Sequence, residues 1–453
     1  MENKNKRVLQ FVSISFAIYL MVSVSFKIFQ LHWTPFDRVN LVSLVFPEKE
    51  KPTDSLVTPK KVIIKETPQQ DFQLYQQPEF ITNFYKGDST ALPYFMEKLE
   101  RLNRGENVKI RIAYFGDSMI EGDLLTQTFR KLLQEKYGGY GVGFLPLSSN
   151  VAGFRQTATL PKSGWEDINF KTKNSKNLYF SGHYYLGAGN GAFRDNTLLR
   201  DTLGTPIQKS FLYGKSSAPF TINVNGNPVT ISGNQQVNRK VLLENASPKI
   251  TLSTPPSSTP YYGISFESEK GIFVDNFSFR GITGVEFRKL DSDFLKAIQQ
   301  ANPYDLIVFQ YGVNLLFRPN DTNYNYYAEM FSPVLKEFKN SFPETDILIV
   351  SSADRAFRYN GVYKTAIGLP NLIELQAQMA FDHHLAFYNQ YQSMGGENSI
   401  VEWANKTPSW ANKDYVHPNH RGAEILAEKL FNALQNDFIN YLKKKKEDDG
   451  VAQ

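Results

Sequence analysis

Short, continuously apolar segments that alternate with helical patterns constrain this chain more than any other feature. Leu306 to Gln310 reads LIVFQ and Ile347 to Ser351 reads ILIVS, and Lys109 to Phe115, which reads KIRIAYF, alternates before it becomes apolar. Other segments, such as Leu124 to Tyr137 and Tyr327 to Ser341, have apolar residues at three- and four-residue steps, which predicts amphipathic helices. Continuous apolar strands between helices indicate a parallel sheet that is covered on both faces. The sequence therefore predicts an α/β fold.

The segment 155–275 has a different pattern. Its short β-prone runs, such as Phe220 to Val224, are separated by Gly, Asn, Pro and Ser. Two turns, Asn225-Gly226 and Ser232-Gly233, lie between apolar runs and predict hairpins. We expect an all-β sandwich that is inserted into one interrupted α/β domain. Most aromatic residues of this segment are expected in its core rather than on a sugar-binding surface: Trp165, Tyr179, Tyr184, Tyr185, Tyr261 and Tyr262.

The N-terminal residues predict a membrane anchor. Val8 to Phe26 carries no formal charge and, at about 1.5 Å per residue, is long enough to cross roughly 30 Å of hydrocarbon. Lys4, Lys6 and Arg7 precede it, and the positive-inside rule then leaves the body of the chain outside the cytoplasm. A cleaved signal peptide is the alternative, although Val24 to Lys27 is not a small-x-small cleavage site. We expect an anchored protein with an extracytoplasmic body, periplasmic if the cell is Gram-negative.

These patterns divide the chain into segments, and a length of 453 residues allows two or three domains. The segment before the body, rich in Pro, Lys, Glu and Thr, has the composition of a solvated spacer. The predicted segments are a cytoplasmic tip with the anchor (1–30), the spacer (31–75), the first part of the α/β domain (76–154), the inserted β-domain (155–275), the second part of the α/β domain (276–442) and a charged tail (443–453).

Composition excludes several functional classes. The chain has 50 Lys and Arg against 45 Asp and Glu, a formal charge of +5. This charge is too small and too dispersed for the dense cationic face that nucleic-acid binding requires. The chain has no cysteine, which excludes disulfides, thiolate zinc sites and iron–sulfur clusters. The sequence contains no metal-binding motif of the zincin or EF-hand type, and we expect neither a metal nor a cofactor.

One serine stands at a favourable place for a nucleophile. Gly116-Asp117-Ser118 follows the first apolar strand and precedes a helix, so Ser118 is expected at the carboxyl edge of the sheet, where open α/β sheets bind ligands. A serine hydroxyl needs a histidine base and a carboxylate that orients this base. Asp414 and His417 are three residues apart, just before the last helix, and can form such a pair. Helix capping is the alternative interpretation of these residues.

Four motifs together resemble the four blocks of the SGNH (GDSL-like) hydrolases, over about residues 95–154 and 275–440. In the family's order they are Gly116-Asp117-Ser118, Gly281-Ile282-Thr283-Gly284, Tyr311-Gly312-Val313-Asn314 and Asp414-x-x-His417-Pro418. The resemblance implies a three-layer, flavodoxin-like parallel sheet. It further implies that Ser118 is the nucleophile, His417 the general base and Asp414 the partner of the base.

The resemblance also implies an oxyanion hole. Its donors would be the backbone N–H groups of Ser118 and Gly284 and the side-chain amide of Asn314, with Gly281 as the alternative to Gly284. Such donors stabilise the negative charge on the oxygen of a tetrahedral intermediate. Leu315 departs from the family's Gly-x-Asn-Asp block, in which a carboxylate follows the asparagine.

Within the superfamily, three features resemble the peptidoglycan O-acetylesterase branch: the run Gly116 to Asp123, the glycine-rich loop Gly138 to Phe144 and a β-insert like a carbohydrate-binding module. This implies a serine esterase that removes O-acetyl groups from an extracytoplasmic polysaccharide, peptidoglycan or another cell-envelope glycan, through an acetyl-serine intermediate. Two alternatives stay open: a polysaccharide O-acetyltransferase with the same site, and a non-catalytic glycan-binding or scaffold protein. The expected partners are the acetylated polysaccharide, the membrane at residues 8–26 and a membrane-bound acyltransferase.

Overall fold

The structure, a computed structural model, describes residues 2–29, 71–87, 90–197 and 204–451. The chain divides into two units, residues 1–67 and residues 68–453. In the first unit the described residues form a helix whose segment Val8–Phe26 has a mean hydropathy of 1.9 and is long and apolar enough to cross a membrane. A signal sequence has the same character, so both sequence-based alternatives remain. Most of the predicted spacer lies outside the described residues.

Helices and strands of the described residues follow the chain in this order. The α-helices are α1 (Glu2–Ile28), α2 (Pro93–Asn103), α3 (Thr126–Tyr137), α4 (Ser292–Ala301), α5 (Asn325–Ser341), α6 (Leu369–His383), α7 (Gln390–Met394), α8 (Ser399–Asn405) and α9 (His420–Val451). The strands are β1 (Thr82–Asn83), β2 (Lys109–Gly116), β3 (Gly143–Pro146), β4 (Ala158–Thr159), β5 (Glu166–Asn169), β6 (His183–Leu186), β7 (Gly189–Asp195), β8 (Ile207–Gly214), β9 (Phe220–Val224), β10 (Asn227–Ile231), β11 (Val237–Asn245), β12 (Lys249–Thr254), β13 (Tyr261–Glu267), β14 (Gly271–Ser278), β15 (Leu306–Gln310), β16 (Asp346–Val350), β17 (Ala356–Tyr359), β18 (Val362–Thr365) and β19 (Ala386–Tyr388).

A largely parallel sheet organises the second unit. Its strand order is β1-β19-β16-β15-β2-β14. All pairs are parallel except the edge pair β1–β19. Numbered along the chain from β2, the parallel strands stand in the order 2-1-3-4-5, which is the flavodoxin-like arrangement. The predicted α/β class is therefore confirmed.

Both faces of this sheet are buried, which explains why its strands are mostly apolar. Ile110, Ile112 and Tyr114 of β2 belong to the core on one face, and Ala113 and Phe115 to the core on the other. Successive side chains of a strand point to opposite faces, so each face needs its own cover. Residues of α2, α3 and α9 cover the first face, and residues of α4, α5 and α6 cover the second. The result is a three-layer unit.

Two antiparallel sheets are inserted between β2 and β14. One has the order β10-β9-β12-β7-β4, and the other has the order β11-β8-β13-β6-β5 with β3 paired to β13. Side chains of both sheets, such as Phe193 and Leu252 of the first and Phe211 and Ile264 of the second, share one core. The predicted β-sandwich is therefore present. Strand pairing assigns β14 to the parallel sheet and β3 to the sandwich, and the exact domain boundaries remain a prediction.

The two predicted hairpins of the insert have different outcomes. Asn225 and Gly226 connect β9 to β10, which pair as an antiparallel hairpin, so that prediction is confirmed. The prediction for Ser232-Gly233 is wrong, because β10 and β11 belong to different sheets. β11 pairs instead with β8, and a Cβ on Gly233 would lie 2.4 Å from the carbonyl oxygen of Gly214. The glycine therefore permits a crossing between sheets rather than a hairpin.

The aromatic residues of the insert lie mostly in the core, as predicted. Tyr179, Tyr185 and Tyr261 are fully buried, and Trp165 and Tyr262 are nearly so. The indole N–H of Trp165 donates to Thr254 Oγ1 at 2.8 Å. These rings are therefore unavailable as sugar-stacking surfaces.

Buried ion pairs fix the insert to the parallel sheet. Glu267 of β13 is fully buried and accepts hydrogen bonds from Arg111 of β2 (Nε at 2.9 Å, Nη2 at 2.8 Å) and from Arg239 of β11 (Nη2 at 2.8 Å). Asp123 likewise accepts from Arg130 of α3 at 2.7 Å and from Thr157 of the insert at 2.5 Å. A buried charge is tolerated only when it is paired in this way. The Glu267 pairs hold the insert near the amino end of β2, and the Asp123 contacts hold it near the carboxyl end.

Candidate active site

The serine loop follows β2 directly. A Cβ at Gly116 would lie 2.8 Å from the Ile120 side chain and 3.2 Å from the carbonyl oxygen of Gln310, so only glycine allows the chain to turn here. Asp117 is fully buried, and its Oδ1 accepts the N–H of Met119 at 2.9 Å. This bond closes the turn and leaves Ser118 half-buried at the carboxyl edge of the sheet.

The aspartate–histidine loop precedes α9. Asp414 Oδ1 accepts the backbone N–H groups of Val416 at 3.0 Å and His417 at 3.1 Å, and Asp414 Oδ2 is 2.8 Å from His417 Nδ1. Between them Tyr415 has a φ of 56°, a left-handed conformation that is costly for a residue with a Cβ. Its ring stacks on Tyr363 of β18, with 4.1 Å between the ring centroids. The hydrogen bonds to Asp414 and the stacking of Tyr415 on Tyr363 therefore hold the conformation of the loop.

The structure brings Ser118, His417 and Asp414 together from distant parts of the chain. Ser118 Oγ lies 2.9 Å from His417 Nε2. When the ring N–H at Nδ1 donates to Asp414, Nε2 is the lone-pair nitrogen and accepts the serine O–H. Burial opposes the effect, but the hydrogen bonds from His417 and from the backbone lower the pKa of Asp414 below its ordinary value. The carboxylate therefore stays charged and keeps the imidazole in the orientation that a general base needs.

Two backbone N–H groups of the predicted oxyanion hole, those of Ser118 and Gly284, have no hydrogen-bond acceptor among the described residues. Gly284 has a φ of 89°, and a Cβ there would lie 2.7 Å from the Phe331 ring and 2.8 Å from the Tyr311 ring. A Cβ on Gly281 would meet nothing within 4 Å. The backbone at Gly284 is therefore fixed by packing in a way that the backbone at Gly281 is not.

Asn314 adjoins the serine loop, but its amide hydrogens already have acceptors. Its Nδ2 donates to Asp117 Oδ2 and to the carbonyl oxygen of Ile282, both at 2.9 Å. Burial raises the pKa of Asp117 to about 7, although the hydrogen bonds from Met119 and Asn314 act in the opposite direction. Asn314 therefore links the serine loop to the loop that contains Gly284. Its predicted role as an oxyanion donor stays a prediction.

An arginine supports the Asn314 loop, where the family pattern has a carboxylate. Leu315 is buried in the core, so it contributes packing and no charge. Arg355 donates from Nη1 to the carbonyl oxygen of Val313 at 2.7 Å, and Gln376 donates from Nε2 to that of Tyr311 at 2.8 Å. Sequence reasoning missed both residues, because each donates to a backbone carbonyl of a distant segment.

The triad opens into a cleft of about 570 Å³ whose lining includes Ser118, Leu124, Phe154, Arg280 and His417. Phe154 is 67% exposed and was also missed by sequence reasoning, which considered only aromatic residues inside the insert. The volume lies within the range of about 300 to 1,000 Å³ that small-molecule sites occupy. Within the described ranges, no three His, Asp or Glu side chains meet as potential metal ligands.

Comparison with solved structures identifies the fold. The structure of a peptidoglycan O-acetylesterase is 24% identical in sequence, with a TM-score of 0.67 over 80% of this chain and 99% of that chain. The chain has the SGNH-hydrolase fold. The similarity therefore covers nearly the whole of the compared chain.

Other solved structures resemble the SGNH unit less. An acetylxylan esterase from Geobacillus stearothermophilus is 18% identical, with a TM-score of 0.28 over 36% of this chain and 73% of that chain. A family two carbohydrate esterase from Clostridium thermocellum, solved with cellohexaose, is 11% identical, with a TM-score of 0.26 over 55% of this chain and 93% of that chain. Such low scores support no argument about this chain. No protein-family profile and no curated protein sequence matches it.

Proposed function

We propose that this protein is a serine esterase that removes O-acetyl groups from an extracytoplasmic polysaccharide. The observation that carries the proposal is the chain of contacts from Ser118 Oγ through His417 to Asp414, at 2.9 and 2.8 Å. A hydroxyl, an imidazole and a carboxylate in this order form the arrangement of a serine hydrolase. The SGNH fold and the peptidoglycan O-acetylesterase at 24% identity favour a glycan acetyl ester, and among glycans they favour peptidoglycan.

The reaction follows from the roles of the three side chains. Ser118 Oγ attacks the acetyl carbonyl carbon while its proton passes to His417 Nε2. The backbone N–H groups of Ser118 and Gly284 stabilise the oxyanion that forms. The side-chain amide of Asn314 becomes a third donor if the oxyanion replaces the carbonyl oxygen of Ile282 as the acceptor of its N–H group. His417 returns the proton to the sugar oxygen as the carbon–oxygen bond breaks, and a water molecule activated by His417 then releases acetate from Ser118.

Access of water favours hydrolysis over acetyl transfer to a sugar. The side chains of His417 and Asp414 are 33% and 45% exposed, and Ser118 is half-buried. A transferase must exclude water from the acyl-enzyme until the acceptor is bound. The complete triad likewise disfavours a non-catalytic scaffold. The predicted acyltransferase partner stays a prediction.

The helix at Val8–Phe26 supports the proposed location. We infer that it anchors the protein in the membrane, that residues 31–75 act as a spacer and that the catalytic body lies outside the cytoplasm, in the periplasm of a Gram-negative cell. The length and the mean hydropathy of 1.9 support this interpretation. Protection of the body from protease added to intact spheroplasts would contradict it.

The proposed activity is tested with the full-length protein in detergent. Two substrates are needed, 4-nitrophenyl acetate and an O-acetylated glycan, with acetate as the measured product. The proposal predicts acetate release from both, and loss of release in Ser118→Ala. Acetyl groups that appear on an added oligosaccharide in place of free acetate would support the transferase. Glycan binding without turnover of either substrate would support the scaffold.

A further inference from the structure

A second cavity lies beside the catalytic cleft. It measures about 310 Å³ and lies between the parallel sheet at Asn276 to Arg280 and the insert at Ser148 to Arg155 and Asp167 to His183. Its volume is at the lower end of the range, about 300 to 1,000 Å³, that is typical of small-molecule sites. We refer to it below as the insert cavity. The proposed reaction uses no residue that lines it.

The insert cavity adjoins the cleft at Ser118. Glu121 and Arg280 line both spaces, and Arg280 Nε donates to Glu121 Oε2 at 2.9 Å. This ion pair forms a wall that the insert cavity and the cleft share. The turn Ala152–Phe154 forms a second boundary, because Ala152 lines the insert cavity and Phe154 lines the cleft. A chain-like ligand whose reacting group is at Ser118 can therefore extend over the wall into the insert cavity.

Polar atoms that line the insert cavity lack partners. Ser181 Oγ is buried and makes no hydrogen bond within the described part of the chain. His183 Nδ1 is 2.7 Å from Asp167 Oδ1, which leaves Nε2 as an unused acceptor. The Lys171 ammonium group makes no salt bridge with any described carboxylate, and it lies 5.7 Å from the centroid of the Phe279 ring. The lone pair at His183 Nε2 and the N–H donors of Lys171 can therefore form hydrogen bonds with the hydroxyl groups of a ligand.

The charges that line the insert cavity balance. Three carboxylates line the cavity together with three cations: Glu121, Asp123 and Asp167 with Arg155, Lys171 and Arg280. Much of the remaining polar lining consists of hydroxyl and amide groups, those of Ser148, Ser149, Asn150, Asn169, Ser181 and Asn276. A site for an anionic ligand would carry excess positive charge. Hydrogen bonding rather than net charge therefore selects the ligand.

Phe154 adds an apolar surface on the cleft side of the boundary. Phe154 is 67% exposed, and removing an exposed apolar side chain from water is favourable. A pyranose ring has an apolar C–H face and a hydroxyl edge. A sugar at Ser118 can place its C–H face on Phe154 while the next residue of the chain enters the insert cavity.

We propose that the insert cavity is a subsite for a neutral pyranose residue adjacent to the acetylated residue of the substrate glycan. This inference rests on the proposed function, because it assumes that the glycan reacts at Ser118. It assigns to the insert the selection of a polymeric over a small acetyl ester.

The test compares substrates that do and do not reach the insert cavity. Asn150→Trp fills the cavity from an exposed position at its rim, and His183→Ala removes a hydrogen-bonding group. Asn107→Trp is the matched control, since Asn107 is also exposed but lies just before β2, at the opposite edge of the sheet from Ser118. The substrates are 4-nitrophenyl acetate and an O-acetylated N-acetylglucosamine tetrasaccharide, with full-length protein in detergent.

For the tetrasaccharide, we expect the two cavity variants to lower kcat/KM about tenfold, mainly through KM, as the loss of one or two hydrogen bonds would do. For 4-nitrophenyl acetate we expect changes within about twofold, and no change in Asn107→Trp on either substrate. A KM for the tetrasaccharide that depends little on salt supports the neutral ligand. Unchanged KM in both cavity variants, an equal loss on both substrates, or a steep salt dependence would overturn the proposal.

A direct binding measurement separates failure of the subsite from failure of the proposed function. Calorimetry with the tetrasaccharide and Ser118→Ala, with and without Asn150→Trp, needs no turnover. We expect the second substitution to weaken binding about tenfold, equivalent to about 1.4 kcal/mol. Equal binding by both proteins would reject the subsite even if the wild-type protein proves to be an esterase.

Discussion

Two aspartate–histidine pairs lie in neighbouring cavities of this molecule. In the cleft, His417 Nδ1 is 2.8 Å from Asp414 Oδ2, and in the insert cavity His183 Nδ1 is 2.7 Å from Asp167 Oδ1. The pairs differ in what the second ring nitrogen meets. His417 Nε2 is 2.9 Å from Ser118 Oγ, whereas His183 Nε2 has no partner within the described residues. An oriented imidazole is therefore common to both cavities, and the serine at the sheet edge distinguishes the catalytic one.

The largest expected effect is a difference in kcat between variants of the two histidines. We predict that His417→Ala, like Ser118→Ala, lowers kcat for 4-nitrophenyl acetate by about 10⁴-fold or more, because the members of such a triad act as a unit. His183→Ala is the matched substitution and should leave this rate nearly unchanged. Initial rates at saturating substrate provide the measurement. Comparable losses in both variants would erase the distinction between the pairs.

Substitution of the two aspartates should also change activity to different extents, but the difference should be smaller than for the two histidines. We predict that Asp414→Ala retains about ten to a hundred times the activity of His417→Ala, since the imidazole and the serine remain, and that Asp167→Ala is nearly neutral. The lowered pKa of Asp414 means that this carboxylate stays ionised as the pH falls through its ordinary range. Rate profiles of wild type and Asp414→Asn against pH check this. Activity in Asp414→Ala as low as in His417→Ala would contradict the graded order.

A smaller loss is expected when Asn314, beside the serine loop, is substituted. Removal of one oxyanion donor typically costs about 10²- to 10³-fold in kcat. Because both amide hydrogens of Asn314 have acceptors in the free protein, we expect Asn314→Ala to lower kcat by only about 10- to 100-fold. Steady-state rates on 4-nitrophenyl acetate measure the effect. A loss as large as that of Ser118→Ala would show that Asn314 holds the serine loop rather than a reaction oxygen.

The smallest effect concerns stability, at the buried carboxyl beside the serine. Burial raises the pKa of Asp117 to about 7, above the unfolded value of about 3.9. The folded state then binds more protons than the unfolded state between these values, so this group makes stability fall as pH rises through about 4 to 7. We predict a shallower fall in Asp117→Asn, measured by denaturant unfolding at several pH values. Asp437, whose pKa is also raised to about 7 by burial, preserves part of the slope in the variant. An unchanged slope would contradict the assignment.

The parallel sheet was largely predictable because its sequence signal is local. β15 matches the predicted strand residue for residue, and β16 is displaced by one residue from its prediction, since both faces of these strands are buried and four of the five residues in each are apolar. The position of Ser118 could be predicted because a residue that directly follows a buried parallel strand lies at the carboxyl edge of the sheet. The pairing of Asp414 with His417 depends on a separation of three residues within one loop.

Contacts across long separations could not be predicted in this way. The pairing of His183 with Asp167 requires a hairpin between β5 and β6, and the turn at Ser232-Gly233 gave no sign that β11 joins another sheet. The support of the Asn314 loop by Arg355 depends on a backbone carbonyl, and a carbonyl has no signature in sequence. The exposure of Phe154 likewise results from the packing of the insert against the sheet, which no local pattern encodes.

The most direct test of the central claim is the reaction of the full-length protein with a fluorophosphonate, followed by mass spectrometry of its peptides. The triad geometry predicts a single phosphonyl adduct on Ser118, formed in proportion to the loss of esterase activity. It also predicts that labelling is far slower in His417→Ala and unaltered in His183→Ala. An adduct on another residue, or labelling of Ser118 that does not depend on His417, would contradict the account.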